Sequence, residues 1–351
     1  MSNQGGLYRS IRSGIAPAAK ALLFKSGALG ALRAVRPSDR LAILRYHAIC
    51  GPEGYAYASP GICVTPPAFE KHVKYLAANY KVLSLPDAVA MIRDGAALPP
   101  NAVAITFDDG YADNLPAARA LAAHGLTATF YITAGCMVGG EPFWPSELRY
   151  LMAGMRRDRI TLHANGQSLE LDLGTEALRG SAVNSLTKTF KANPIAVRED
   201  LRGQLRILAG NIEVPSVMLT WDAIREMRRL GMTIGSHTMT HPNLPNAGLP
   251  AAREELARAR ETLEAETEAQ VTMFSYPNGG AERYLTAEIK EIVNAVGYEG
   301  ATTSRNAFAG ASSDVYALER IEVEESLMDL AFALEVERFA FAPTARQGER
   351  A

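Results

Sequence analysis

The 351-residue chain carries 36 Lys and Arg residues against 38 Asp and Glu residues, a net charge of −2 that excludes binding to nucleic acid through overall positive charge. Its 48% content of hydrophobic residues is that of an ordinary globular protein, and the absence of any run of eighteen apolar residues excludes a predicted membrane-spanning helix. The three cysteines show no CxxC spacing, which argues against a disulfide scaffold and favours a reducing compartment.

Residues 1–40 form a basic segment with seven Lys and Arg residues and a single acidic residue, Asp39. Within it, residues 15–32 fit one or two amphipathic helices broken near Gly27 and Gly30. Such a segment can lie on an anionic membrane surface, although we favour its packing against the back of the following domain. Because the segment lacks a clean apolar core and cleavage site, we expect a cytoplasmic protein, with peripheral membrane contact as the alternative.

From residue 41 onward the pattern alternates between strands and helices. Leu41–His47 predicts the first strand, with His47 at its carboxyl end. Residues 65–79 follow a loop and predict a helix that begins with an N-cap threonine and two prolines. Residues 81–85 then predict a short strand, and residues 86–93 a helix.

The next strand ends in two adjacent carboxylates. An apolar run over residues 102–105 leads into Thr106-Phe107-Asp108-Asp109-Gly110, and a short apolar run stopped by a turn signal is typical of a buried strand. Two carboxylates at such a strand end are costly unless something neutralises them. Neighbouring strand residues point to opposite sides, so Asp108 and Asp109 can differ in role, one as metal ligand and the other as base. Taken alone, the stretch is better explained as a turn followed by a helix N-cap.

Two more elements continue the alternation of strands and helices before a long segment interrupts it. Residues 115–124 predict a helix and residues 127–132 a strand, a succession that favours a parallel sheet with right-handed crossovers. Residues 139–217 predict instead an α+β insertion over the catalytic face, with a β-hairpin around Asn165-Gly166. Its predicted helices cover residues 146–156, about 175–191 and about 194–210. Trp144, just before the first of them, either stacks on a bound ligand or anchors the insertion.

A pair of histidines follows the next predicted strand, residues 232–236. His237 and His241 are four residues apart, which places both imidazoles on one side of a helical turn, a common way to supply two ligands to one divalent ion. Two histidines and a carboxylate leave positions open for water and substrate, as in catalytic sites. Two surface histidines on a capped loop are the alternative, weakened because the other four histidines occur singly.

The rest of the chain completes the alternation. Glu255 and Arg258, in the long helix predicted for residues 249–269, fit a solvated face. The remaining predicted elements are strands at residues 271–277, 300–303 and 318–323, helices at 285–296 and from 323 to about 341, and a disordered tail at 343–351.

These stretches carry a resemblance to a known family. Thr106–Gly110 and Ser236–Pro242 resemble the first two motifs of the polysaccharide deacetylase family, also called the NodB-homology domain or carbohydrate esterase family 4. Phe274–Gly279, Tyr46-His47 and Leu318–Val323 resemble its exopolysaccharide-type branch. The resemblance covers about residues 41–342. It implies an α/β fold, a distorted (β/α)7-type barrel whose strands end around one opening. The chain has about seven strand–helix units, which fits such a barrel.

The resemblance also implies hydrolysis of an N-acetyl group on an amino sugar of a polysaccharide or of its precursor. Asp109, His237 and His241 would hold a divalent metal, Zn²⁺ by preference, although Co²⁺, Fe²⁺ or Ni²⁺ suit the same ligands. Asp108 would act as general base. The residues expected to contact the substrate or its oxyanion are Tyr111, Tyr276, Pro277, Asn278 and Trp144.

The chain departs from the family pattern at two positions. Ser275 stands where the third motif usually carries an arginine, and no histidine follows His241, although a late histidine usually supplies the general acid. We therefore expect Arg320 to orient Asp108 and His47 to act as the acid.

Two other functions stay open on the residues alone. One is a deacylase or deformylase of a lipid-linked or nucleotide-linked amino sugar, which a cytoplasmic enzyme can reach. The other is an inactive carbohydrate-binding barrel, although the complete Asp and His set speaks against it. A Rossmann dehydrogenase is disfavoured, because no GxGxxG follows a strand.

Overall fold

The computed structural model describes residues 17–279 and 284–339, which contain ten strands and thirteen α-helices. The strands are β1 Ala42–Tyr46, β2 Lys81–Val82, β3 Ala102–Phe107, β4 Thr129–Ile132, β5 Arg159–Ala164, β6 Gln167–Asp172, β7 Thr233–Ser236, β8 Met273–Ser275, β9 Gly300–Thr302 and β10 Ile321–Glu322. The helices are α1 Pro17–Lys25, α2 Ala28–Val35, α3 Pro66–Asn79, α4 Leu85–Arg93, α5 Asn114–Ala123, α6 Trp144–Gly154, α7 Glu176–Ala192, α8 Ile195–Ala209, α9 Trp221–Arg229, α10 Leu244–Ala247, α11 Leu249–Thr267, α12 Ala287–Val296 and α13 Leu327–Glu335.

The main sheet is parallel throughout, with the strand order β10-β1-β3-β4-β7-β8-β9 and β2 beside β3. Tyr46 pairs with Phe107 in the register of β1 and β3, so both strands end at the same level. Because parallel strands share their carboxyl edge, the segments that follow β1, β3, β7 and β8 meet there. That edge is where the predicted site residues lie.

The two ends of this sheet approach each other through the segment that precedes β10. Leu318 N–H donates to the Ala301 carbonyl at 2.9 Å, and Thr303 N–H donates to the Leu318 carbonyl at 2.8 Å. The sheet is thus a curled parallel half-barrel with seven strands in continuous order and β2 as an eighth beside β3, and the predicted distorted barrel is confirmed.

Strand β3 shows why this sequence forms a strand that is buried on both faces. All six of its residues are buried. Val103 and Ile105 pack in the large cluster beneath the surrounding helices, whereas Ala102 and Ala104 pack in a smaller cluster with residues of α4. A run that is apolar at every position is what a parallel strand between two apolar layers requires.

The predicted strand at residues 81–85 is shorter than expected. Only Lys81 and Val82 pair with β3, because Leu85 already begins α4. Ser84 caps that helix, since its hydroxyl accepts the Asp87 N–H at 3.2 Å. The strand therefore ends three residues before the predicted strand pattern does.

Residues 144–209 form a separate layer with its own core. The predicted hairpin is confirmed, with β5 and β6 antiparallel and a turn at Asn165 and Gly166, whose φ angles are 53° and 73°. Helices α6, α7 and α8 pack with it around a buried apolar cluster that includes Trp144, Leu186 and Leu201. This layer lies against the histidine-bearing loop of the barrel, as described below.

Helices α1 and α2 pack on α13 at the end of the domain. Lys20 Nζ lies 2.7 Å from Asp329 Oδ1, and Arg33 Nη1 lies 3.1 Å from Glu335 Oε1. This contact agrees with the favoured interpretation for residues 17–35, while residues 1–16 and the predicted tail lie outside the described residues. Within residues 17–279 and 284–339, no helix has the length and apolar character needed to span a membrane.

Candidate metal centre

A cleft of about 360 Å³ opens at the carboxyl edge of the sheet. Its walls come from the segments after β1, β3, β7 and β8 and from helices α6 and α7 of the insertion. Side chains from distant parts of the chain therefore converge in one cavity. The predicted site residues that line it are His47, Asp108, Asp109, Tyr111, Trp144, His237, His241, Tyr276, Asn278 and Arg320.

Three of these side chains form a compact group of metal-ligating atoms. The Nε2 atoms of His237 and His241 each lie 3.5 Å from Oδ1 of Asp109. The candidate ligand atoms all lie within 4.8 Å of one another, and all three side chains are buried. Two imidazoles and one carboxylate are the ligand set of many catalytic divalent-metal sites.

A hydrogen bond selects the free nitrogen of His237. Its Nδ1 lies 2.8 Å from the carbonyl oxygen of Ser275, which accepts only, so Nδ1 carries the proton and donates it. The lone pair of the ring is then on Nε2, the atom that faces Asp109. The ring orientation and its tautomer thus both suit metal binding.

The electrostatics of the group also fit a cation. Burial and the neighbouring charge of Asp108 raise the pKa of Asp109 to about 8. Burial lowers the pKa of both His237 and His241. The carboxylate is therefore costly to ionise, and the two imidazoles stay neutral. A divalent ion bound between them would stabilise the ionised carboxylate and the neutral rings. The residues present therefore fit a metal ion.

The loop that carries the two histidines is not a helical turn, so that prediction is wrong. Thr238 and His241 have φ angles of 70° and 55°, and the loop follows β7 directly. Thr238 Oγ1 accepts the His241 N–H at 3.0 Å, and the Glu255 carboxylate accepts the N–H groups of Met239 and Thr240 at 2.9 Å. These bonds replace helical ones and bring both imidazoles to the same side.

Glu255 was predicted to lie on a solvated helix face, and this too is wrong. Only 8% of the residue is exposed, because α11 turns it towards the histidine loop. Its second oxygen accepts the hydroxyl of Thr240 at 2.6 Å. A single glutamate in a charged helix carries no sequence signal that distinguishes this role.

The insertion supports the same loop from the other side. Trp144 Nε1 donates to the His241 carbonyl at 3.0 Å, and Arg198 Nη2 donates to Thr240 Oγ1 at 2.9 Å. The Trp144 residue is 2% exposed, and its ring packs on Phe190 at a centroid distance of 5.5 Å. These contacts favour the anchoring alternative for Trp144 over stacking on a sugar ring.

Asp108 has a different partner from Asp109. Arg320 grips it with two hydrogen bonds, Nη1 to Oδ1 at 2.7 Å and Nη2 to Oδ2 at 2.6 Å. Burial alone would raise the pKa of Asp108, but the guanidinium holds it well below its usual range. The contact expected between Arg320 and Asp108 is therefore present, and it keeps the carboxylate ionised and oriented.

Arg320 also occupies the place next to Ser275. Its Nη2 donates to Ser275 Oγ at 3.1 Å, and its Nε donates to the Thr303 carbonyl at 2.7 Å. The small side chain of Ser275 leaves space for a guanidinium that arrives from another strand.

His47 lies beside Asp108, with Nε2 3.7 Å from Oδ2. Burial lowers the pKa of His47 to about 3, even though the Asp108 charge acts in the opposite direction. The imidazole is accordingly neutral near pH 7.

Of the three residues predicted to contact substrate around the third motif, only Asn278 offers a free polar group to the cleft. Tyr276 directs its hydroxyl to the Tyr316 carbonyl at 2.9 Å, and Pro277 is buried but is not among the cleft-lining residues. Asn278 lines the cleft, and within the described part of the chain its buried Nδ2 has no hydrogen-bond partner. Asn278 is thus a donor available to a ligand.

Comparison with known proteins places these features in a family context. The model of the family described as polysaccharide deacetylase matches residues 182–301, which include both histidines. YxkH of Bacillus subtilis (strain 168), whose name places it among the polysaccharide deacetylases, is 23% identical over 300 residues. The match covers 85% of this chain and 76% of YxkH.

Solved structures share the fold. The deacetylase PplD of Streptococcus pyogenes, in complex with acetate, has a TM-score of 0.57 at 18% identity and covers 86% of this chain and 100% of its own. IcaB from Ammonifex degensii has a TM-score of 0.54 at 17% identity, with coverages of 86% and 99%. The family match over residues 182–301, the relative YxkH and the shared fold all indicate similarity to the polysaccharide deacetylase family, and Asp109, His237 and His241 form a candidate metal-binding group.

Proposed function

We propose that the protein is a metal-dependent hydrolase that removes the N-acetyl group from an amino sugar of a surface or extracellular polysaccharide or of its precursor. The observation that carries the proposal is the buried Asp109, His237 and His241 group beside a second carboxylate, Asp108, that Arg320 holds ionised. The two acidic residues have separate partners and can have separate tasks.

Zn²⁺ is the ion that we propose for this group, since its usual ligands are imidazole nitrogens and carboxylate oxygens. When bound, such an ion polarises a carbonyl group and supplies a water molecule of lowered pKa. The chain contributes the three ligands and the hydrogen bond that fixes the His237 tautomer.

Asp108 is the general base of this proposal. Its carboxylate lines the cleft and is held by the two terminal nitrogens of Arg320, and the residue is 3% exposed, so it accepts a proton from water in a fixed direction. The free Nδ2 of Asn278 is placed to donate to an oxygen of the substrate as negative charge develops there.

The amino-sugar substrate rests on the family and on the branch motifs. Tyr46-His47, Phe274–Gly279 and Leu318–Val323 resemble the exopolysaccharide-type branch, and the cleft is open enough to admit a sugar unit beside the candidate ligands. A deacylase or deformylase of a lipid-linked or nucleotide-linked amino sugar is the second candidate. Arg45 and Arg149, which line the cleft, favour it because guanidinium groups suit phosphate.

The test is a screen of N-acylated amino sugars, from monomer to polymer and including nucleotide-linked ones, with released acetate and formate measured separately. We expect acetate release that a chelator abolishes and that Zn²⁺ restores. Formate release would favour the second candidate. Protein that binds no metal and releases neither acid would contradict the proposal and favour a carbohydrate-binding barrel.

A further inference from the structure

The reaction needs a proton donor that the residues discussed so far do not supply. An amide nitrogen cannot leave as an anion, so an acid must protonate it as the C–N bond breaks. No histidine follows His241 in the sequence, and His47 is neutral near pH 7. A further donor in the cleft would let the acid and the base be separate groups.

Lys191 enters the cleft from the insertion. It lies in the last turn of α7, and its side chain lines the cavity that contains Asp109 and His241. It is close enough to both for its positive charge to act on them. Within residues 17–279 and 284–339, its Nζ forms neither a hydrogen bond nor an ion pair within 4 Å.

The backbone of Lys191 is fixed to the histidine loop. Asn243 Nδ2 and Asn246 Nδ2 both donate to the Lys191 carbonyl, at 2.9 and 2.7 Å. These asparagines follow His241 by two and five residues. The position of the lysine is therefore set relative to a candidate metal ligand, although the two belong to different layers of the molecule.

The other donors around the cleft are less suitable. Arg45, Arg149 and Arg320 carry guanidinium groups, which do not give up a proton in proteins. Burial raises the pKa of Tyr111 well above its ordinary value, which makes it a weaker acid. Of the cations that line the described cleft, Lys191 alone has a proton that can be transferred.

We propose that Lys191 is the general acid of the deacetylation, an assignment that rests on the function proposed above. Water adds to the acetamide carbon as its proton passes to Asp108, and the C–N bond then breaks as Lys191 Nζ gives a proton to the departing nitrogen. The products are acetic acid and the free amine. The proton held by Asp108 returns through solvent to the neutral lysine, so charge and protons balance.

The test compares two leaving groups in three variants. Lys191→Gln removes the proton, Lys191→Arg keeps the charge but holds the proton too tightly, and Lys188→Gln is the matched control from the exposed face of the same helix. Each variant is assayed on an N-acetylated amino-sugar oligomer and on 4-nitrophenyl acetate, whose phenolate leaves without protonation. Metal content is measured in every variant.

Both Lys191 variants are expected to lose about 100-fold or more in kcat on the amide. They should change little on the ester and keep the metal content of the wild type, as should the control on both substrates. Full activity of Lys191→Gln on the amide would overturn the inference, and so would an equal loss on both substrates. Rescue by Lys191→Arg would also overturn it, because a role in binding an anion needs only the charge. A wild-type enzyme that releases no acetate would overturn the proposed function and this inference together.

Discussion

Ser275 links His237 to Arg320. Its carbonyl oxygen lies 2.8 Å from His237 Nδ1, and its hydroxyl accepts a hydrogen bond from Arg320 at 3.1 Å. Arg320 in turn grips Asp108. One short residue therefore fixes the tautomer of a candidate metal ligand and contacts the group that orients the candidate base. The orientation of Asp108 is thus linked to that of His237 through Ser275 and Arg320.

The first prediction concerns the metal ligands. His237→Ala should lower metal affinity by more than about 100-fold, because altering only a hydrogen-bond partner of a ligand commonly costs 10–100-fold. The measurement is metal content by elemental mass spectrometry after dialysis against a weak chelator. His163→Ala, in the exposed part of the β5–β6 hairpin, is the control and should retain the wild-type content. Wild-type metal content in His237→Ala would contradict the assignment.

The second prediction concerns the pair formed by Asp108 and Arg320. Arg320→Gln leaves a buried carboxylate without its partner, which should lower the free energy of unfolding by about 3–5 kcal/mol and lower activity severely. Adding Asp108→Asn in the same chain should restore part of the stability but none of the activity. Urea unfolding and acetate release measure the two effects. Additive losses of stability in the double variant would show that the pair is not coupled.

The third prediction concerns acid stability and His72. This histidine of α3 is fully buried against the Tyr46 hydroxyl, 3.2 Å from Nδ1, and burial lowers its pKa to about 4. The unfolded chain therefore binds the proton more readily than the folded one. The stabilisation is complete above about pH 6.5 and is lost as pH falls towards 4, by about 3 kcal/mol.

His72→Gln should remove that share of the pH dependence. The free energy of unfolding, measured by urea at intervals between pH 7 and pH 4, should fall less steeply in the variant. His163→Gln serves as the exposed control and should follow the wild type. Parallel curves for His72→Gln and the wild type would refute the prediction.

The fourth prediction concerns the anchoring role of Trp144. Trp144→Phe keeps an aromatic ring in the insertion core but removes the hydrogen bond to the His241 carbonyl. We expect a loss of about 1–3 kcal/mol in the free energy of unfolding, since a buried carbonyl then has one partner fewer. Metal affinity should also fall, because that carbonyl belongs to a candidate ligand. An unchanged metal affinity with a raised KM for sugars would favour the stacking alternative instead.

The fold could be predicted from the sequence because its strands and turns are marked by local patterns of residues. Apolar runs such as residues 102–105 and the Asn165-Gly166 turn leave signals within a few residues, and the structure contains both elements. Strand ends were less predictable. Residues 83–85 keep an apolar pattern, yet the Ser84 cap starts α4 there.

The site was predictable where side chains do the chemistry and not where backbone groups or long-range contacts do. Asp109, His237 and His241 have characteristic spacings. The contact of the Ser275 carbonyl with His237 could not be predicted, because every residue has a backbone carbonyl and the sequence does not show which one is used. Lys191 looks like any lysine at the end of an amphipathic helix, and the asparagines that hold its carbonyl lie 52 and 55 residues away.

The bond between Asp108 and Arg320 spans 212 residues of chain. During synthesis on a ribosome, the carboxylate emerges long before the guanidinium that neutralises it, and β10, which closes the curled sheet, emerges with the latter. A nascent chain stopped before residue 320 thus exposes an unpaired acidic strand end and an open sheet edge. The candidate site is therefore complete only after residue 320 has emerged, and a truncation that removes β10 is expected to leave no weakly active remnant.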